Sequence, residues 1–187
     1  MAGFRVGILR ELFTHKKYRQ DRWSSDEEVL ILCNYIQAYG LKTVFEIGTG
    51  YGFSAACMQN AGAKVYTFDT EDHHKIYNDE KFPKSNKYMR WTKDDIVFKA
   101  VGSPECFQYI CLPPTSVLFY IDGHHGRGAM METSQLVRAI MREGDVAVFR
   151  GVVAEAPASR FWVNFREQNP MTTETSKTES GLGVYRP

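Results

Sequence analysis

Glu46-Ile47-Gly48-Thr49-Gly50-Tyr51-Gly52 decides how this chain is read. An acid stands near the end of a β-branched and aromatic run, Lys42 to Ile47, and three glycines at alternate positions follow it. Glycine lets the backbone turn tightly and lets a ligand approach its N–H groups, so the run reads as a strand entering a ligand-binding loop. Phe53 to Ala61 then suits a helix, and Ala63 to Phe68 reads as a second strand ending at Asp69. The whole is one βαβ unit.

Upstream, Ser25-Asp26-Glu27-Glu28 is a capping-box pattern, and Val29, Leu32, Ile36 and Tyr39 repeat at helical spacing before Gly40 closes the turn. Downstream, Thr70 to Asn86 is a long polar connection, and a third strand is expected around Tyr88 to Thr92, followed by a helical region broken at Pro104. Ser116 to Ile121 reads as a buried strand ending at Asp122, Ala129 to Arg142 as an amphipathic helix, and Asp145 to Phe149 as a fifth strand. Ala158 to Gln168 adds a helix, and Thr172 to Thr178 is expected to pair with Gly183-Val184-Tyr185 in a closing hairpin. Strands alternating with helices in this way predict an α/β fold: a doubly wound, mostly parallel sheet with a C-terminal antiparallel hairpin. Ligands of such sheets lie beyond the carboxyl ends of the strands, so Glu46, Asp69 and Asp122 are expected on one rim.

Composition narrows the function classes. The chain has 187 residues, enough for one domain, and its 23 Lys and Arg against 22 Asp and Glu give a net charge of +1, which points to neither nucleic acid nor an anionic membrane. Residues 1–24 carry Arg5, Arg10, Lys16, Lys17, Arg19 and Arg22 among apolar side chains and read as a basic arm or lid helix; residues 25–187 form the ligand-binding domain. The four cysteines are scattered without a C-x-x-C pair, no stretch approaches the roughly 20 apolar residues of a membrane span, and no signal sequence is apparent. A soluble cytoplasmic protein is expected, with a homodimer left open.

The dinucleotide fingerprint G-x-G-x-x-G fails, because Phe53 stands three residues beyond Gly50. The E-x-G-x-G-x-G spacing instead resembles motif I of the class I S-adenosylmethionine-dependent methyltransferases, and the resemblance extends over roughly Thr43 to Phe149. Leu118 to His125, then Arg142-Glu143-Gly144-Asp145 before an apolar strand, is similar to the corresponding segments of small O-methyltransferases, the branch that includes cephalosporin-hydroxylase-like and macrocin-type enzymes. The resemblance implies a Rossmann-like methyltransferase sheet, S-adenosyl-L-methionine as cofactor, and methyl transfer to a small-molecule acceptor, at oxygen. It implies that Glu46, Gly48, Thr49, Gly50, Tyr51 and Gly52 cradle the amino-acid part of the cofactor and that Asp69 holds the ribose hydroxyls. The adenine is then expected near the end of the third strand, around Thr92 to Asp95, with Asp94 at its exocyclic amine.

An alcohol or phenol acceptor has to lose a proton, and a histidine titrates near neutrality, so His124 or His125 is the candidate base, with Asp122 orienting it or touching substrate. The alternative is that both histidines only shape the loop. Arg150 either pairs with Asp122 or binds an anionic acceptor bidentately. Metal-dependent members of the branch keep acids after the fifth strand, where Phe149-Arg150-Gly151 stands in this chain, so no metal is expected. The adjacent pair His73-His74 lacks the spacing of a helical metal site and reads as loop. The competing reading is a non-catalytic S-adenosylmethionine-binding or interaction protein that has lost its acceptor site.

Overall fold

The structure is a computed structural model and describes residues 24–50, 52–70, 96–123, 127–153 and 156–187. The elements are α1 (Asp26–Ala38), β1 (Thr43–Ile47), α2 (Phe53–Asn60), β2 (Lys64–Asp69), β3 (Ile96–Ala100), a short 3₁₀ turn (Glu105–Tyr109), β4 (Val117–Ile121), α3 (Arg127–Ile140), β5 (Val146–Arg150), α4 (Ala156–Gln168), β6 (Thr173–Ser176) and β7 (Leu182–Tyr185). The capping box forms as expected: Ser25 Oγ accepts the Glu28 N–H at 3.2 Å, and Glu28 Oε2 accepts the Ser25 N–H at 2.9 Å.

The strands form one sheet in the order β3-β2-β1-β4-β5-β7-β6. β3, β2, β1, β4 and β5 run parallel, and β7 lies antiparallel between β5 and β6. The closing hairpin is therefore present, with its second strand inserted next to β5. Gly183 makes room for this: a Cβ there would stand 2.6 Å from the Trp162 indole of α4.

Strand alternation divides the core into two. Phe45, Ile47, Phe119, Ile121, Ala147 and Phe149 face α3 and α4, where Phe161, Trp162 and Phe165 ring Phe149 at centroid distances of 5.6 to 5.9 Å. Val44, Val65, Leu118, Tyr120, Val146 and Val148 face α1 and α2 and pack on Leu32, Ile36, Ala55 and Met58. By the same period of two, Glu46, Thr67, Asp122 and Arg150 fall on the α1–α2 side, at the carboxyl end of the sheet.

The third strand of the described residues is Ile96–Ala100, in register with β2 from Val65↔Ile96 to Asp69↔Ala100. Ile96-Val97-Phe98 is a β-prone run. The strand expected at Tyr88 to Thr92, with Asp94 near its end, lies outside the described residues. Helix ends shift by two residues, as at α3. Most of the basic arm and most of the polar connection after Thr70 lie outside the described residues. No helix among the described residues is long and apolar enough to cross a membrane.

Candidate functional site: the carboxyl rim of the sheet

Register makes the rim level. Ile47 pairs with Phe68 on one side and Ile121 on the other, so Asp69 and Asp122 flank the point where Gly48 leaves β1. Pairing continues one residue further: the Gly48 N–H donates to Phe68 O, and the Asp122 N–H to Ile47 O, both at 2.8 Å. Gly48 has φ +100, and a Cβ there would lie 2.6 Å from the Asp122 carbonyl carbon and the Gly123 nitrogen, so only glycine fits between β1 and β4. Gly50 is different. Its φ is +47, but a Cβ would meet nothing within 4 Å, so the backbone lines open space. Gly52, at φ +72, is the N-cap of α2.

Two acids support this loop in different ways. Asp69 is part-buried at the end of β2, and its Oδ2 accepts the Gly50 N–H at 3.0 Å. Glu46 is fully buried beneath the loop: its Oε1 accepts from Ser54 Oγ at 2.5 Å and its Oε2 from Thr67 Oγ1 at 2.6 Å. Thr67 Oγ1 in turn lies 2.6 Å from Thr49 Oγ1 in the loop. Burial pushes the Glu46 carboxyl up to about 8, the Ser54 and Thr67 hydrogen bonds only partly opposing it and the negative charges of Asp122 and Asp69 adding to it.

Arg150, the last residue of β5, is held between two carboxylates. Its Nη1 donates to Asp122 Oδ1 at 2.9 Å and its Nε to Glu28 Oε2 at 3.2 Å. Of the two roles open to it from sequence, the pairing with Asp122 is formed. Asp122 Oδ2 accepts from Ser24 Oγ and the Tyr120 hydroxyl, both at 3.1 Å. Glu28 Oε1 accepts from Thr178 Oγ1 at 3.0 Å, the Ser180 N–H at 3.2 Å and the Ser180 hydroxyl. Burial alone would raise the Glu28 carboxyl, but the hydrogen bonds from Ser180 and Ser25 and the Arg150 charge outweigh it and hold it below the ordinary value. Burial works against the Arg150 charge as well, and Asp122, Tyr120 and Glu28 together more than restore it.

Glu46, Gly48, Thr49, Gly50, Gly52, Asp69, Asp122 and Arg150 thus converge on one rim, with Glu46 and Thr49 behind the loop surface. Tyr51, Asp94, His124 and His125 lie outside the described residues. Sequence reading missed Glu28, which serves both the helix cap and the guanidinium, and missed Ser24, Tyr120, Thr178 and Ser180. Ser25-x-x-Glu28 is visible as a cap, but nothing local ties Glu28 to a partner 122 residues away. Among the described residues no three His, Cys, Asp or Glu side chains stand together as a metal-holding group.

The sequence matches no protein-family model and no curated protein. The fold does match solved structures. One is a candidate caffeoyl-CoA O-methyltransferase from Staphylococcus aureus, with a TM-score of 0.75 at 12% identity over 99% of this chain and 93% of that one. Another is the O-methyltransferase TomG from Streptomyces achromogenes, involved in tomaymycin synthesis and solved with S-adenosylmethionine, with a TM-score of 0.67 at 14% identity over 95% and 88%. A third is an O-methyltransferase from Bacillus cereus in complex with S-adenosylhomocysteine, with a TM-score of 0.66 at 16% identity over 97% and 91%. These likenesses show that the chain has the class I methyltransferase fold over nearly its whole length, as motif I suggested.

Proposed function

We propose that this protein is an S-adenosylmethionine-dependent methyltransferase that methylates a small-molecule acceptor at oxygen. The observation that carries the reading is Gly50: a positive-φ glycine whose missing side chain opens onto free space, beside the Asp69 carboxylate, at the carboxyl rim of a methyltransferase-type sheet. Nucleotide cofactors lie in that crevice in open α/β sheets. TomG and the Bacillus cereus enzyme, which share the fold, hold S-adenosylmethionine and S-adenosylhomocysteine.

In this reading Gly48, Thr49, Gly50, Tyr51 and Gly52 receive the amino-acid end of the cofactor, and Asp69 accepts hydrogen bonds from the ribose hydroxyls. The ribose acid sets the base beside it. With β3 at Ile96–Ala100, its carboxyl end is at residues 101–103, so the adenine is assigned there; Asp94, the residue expected at its exocyclic amine, lies outside the described residues. Gly102 supports the shift, since it abuts Thr70 next to Asp69: a Cβ there would stand 2.5 Å from Thr70 Cγ2.

When bound, the cofactor supplies a methyl group open to in-line displacement. The chain's own work is to align the acceptor and take its proton. His124 or His125 is the proposed base, directly after Asp122-Gly123. Asp122 positions the start of that loop: its side chain is tied to Arg150, Tyr120 and Ser24, and its backbone packs on Gly48. No step is assigned to a metal, because the Asp122 carboxylate is engaged by a guanidinium that would repel a divalent cation.

Thermal-shift measurements with S-adenosylmethionine, S-adenosylhomocysteine and NAD test the cofactor, since a ligand that binds only the native state raises its melting temperature. Stabilisation by the two adenosyl ligands and not by NAD is expected; stabilisation by NAD alone would refute the assignment. Transfer of labelled methyl to a panel of phenols and sugars then separates enzyme from binder.

A further inference from the structure

The glycine loop is wired to the buried acid beneath it. Glu46 Oε2, Thr67 Oγ1 and Thr49 Oγ1 form an unbroken chain with 2.6 Å at each link, which runs from the fully buried carboxyl on β1, across β2, to the loop itself. Each hydroxyl has one proton, so Thr49 donates at the second link while Thr67 donates to a Glu46 carboxylate, and Thr67 donates there when Glu46 carries the proton. We propose that Glu46 holds a proton while the loop is empty and releases it through Thr67 and Thr49 when a cationic ligand enters, which couples cofactor capture to proton release.

The proposal rests on the assignment of this loop to S-adenosylmethionine, a sulfonium that also carries an ammonium group. The setting of Glu46 is unusual for a carboxylate. It is fully buried, Ser54 of α2 and Thr67 of β2 occupy its two oxygens, and hydroxyls stabilise a buried anion less than a cation does. Among the described residues the charges that act on it are negative: Asp69 at the end of β2 and Asp122 at the end of β4. Its register neighbour Tyr120 on β4 is a phenol that burial and the Asp122 charge keep neutral. The cation on that side, Arg150 of β5, is bonded to Asp122 and to Glu28 of α1. Near neutrality a second buried anion is therefore opposed until positive charge arrives from the ligand.

The proton balance is simple. As a cation enters, Glu46 Oε2 passes its proton to Thr67 Oγ1, Thr67 passes its own to Thr49 Oγ1, and Thr49, buried but for 5% of its surface, passes its own to the solvent that reaches it there. Each threonine ends neutral with its hydroxyl turned round, Glu46 ends as the carboxylate that Thr67 and Ser54 already face as donors, and one proton leaves the protein. With the free carboxyl pushed up to about 8, roughly 0.9 proton leaves per ligand at pH 7, and affinity rises toward about tenfold per pH unit up to pH 8 before levelling.

The test is calorimetric titration of S-adenosylmethionine into the full chain at pH 7 in two buffers of different ionisation enthalpy, for the wild type and Glu46→Gln. Release of about one proton by the wild type, with none from Glu46→Gln, is the expected result. A wild type that binds without releasing a proton overturns the inference while leaving the cofactor assignment standing. So does equal release by Glu46→Gln. If Glu46→Gln does not fold, the pH dependence of the wild-type affinity decides: a rise up to about pH 8 is expected, and a flat profile overturns the inference. Absence of any binding overturns the cofactor assignment and the inference with it.

Discussion

Arg150 Nη1 donates to Asp122 Oδ1 at 2.9 Å across the adjacent strands β5 and β4, and the same guanidinium reaches Glu28 of α1 through Nε at 3.2 Å. Both acid side chains and the guanidinium are 10% exposed or less. One cation thus compensates two carboxylates, and ties the start of the first helix to the rim where the glycine loop begins.

Removing that cation leaves two buried anions without their partner. Arg150→Met is expected to lose on the order of 3–5 kcal/mol of stability, the cost typical of breaking a buried pair on one side. Glu28→Gln, which keeps the Asp122 contact, should lose less. Urea denaturation of both variants measures the difference, and equal stability of Arg150→Met and the wild type would contradict the structure.

The two glycines of the loop should respond in opposite ways. Gly48→Ala drives a Cβ into the Asp122–Gly123 backbone at a positive φ, so it should destabilise the fold by about 2 kcal/mol or more. The Cβ of Gly50→Val has open space around it and the variant pays mainly the left-handed strain of about 1–2 kcal/mol, but its side chain fills the cradle. It should fold and lose the thermal shift produced by S-adenosylmethionine. An unchanged shift in that variant would count against the loop as the site.

Asp69→Ala removes the proposed ribose acceptor. Charge-assisted hydrogen bonds contribute about 1.5–3 kcal/mol, so cofactor affinity should fall by about 10- to 100-fold or more while the core remains intact. Calorimetry gives the ratio directly.

Stability should vary with pH through two acids of opposite sign. Glu28 is held below the ordinary carboxyl value, so its contribution is present above that value and disappears as the pH falls through its folded value. Glu46 is pushed up to about 8, so the stability that comes from its bound proton is full in acid and is lost as the pH rises through about 8. Melting temperatures from pH 5 to 9 should decline toward the alkaline side in the wild type and less steeply in Glu46→Gln. Parallel profiles would show that Glu46 is already ionised.

Treatment with a chelator followed by its removal should leave cofactor affinity and methyl transfer unchanged with or without added magnesium, because Arg150 holds the Asp122 carboxylate. Activity lost on chelation and restored by magnesium would require the guanidinium to turn away from Asp122.

The sequence by itself determined the βαβ unit, the glycine loop and the capped first helix, because each is written in local periodicity and in residues that only certain backbone conformations accept. It also placed Asp69 and Asp122 at strand ends, since a short apolar run has few ways to end. It did not single out Ile96–Ala100, which follows a long polar connection and is defined by its pairing with β2. Tertiary structure alone decided that β7 inserts beside β5, that Glu46 sits under the loop on a chain of hydroxyls, and that Arg150 turns inward to Glu28 and Asp122. The hydrogen bonds of that hydroxyl chain to Thr67 and of Arg150 join residues 18 to 122 positions apart, and whether a buried charge meets a hydroxyl, a carboxylate or a ligand depends on which side chains the finished sheet and helices bring within about 3 Å.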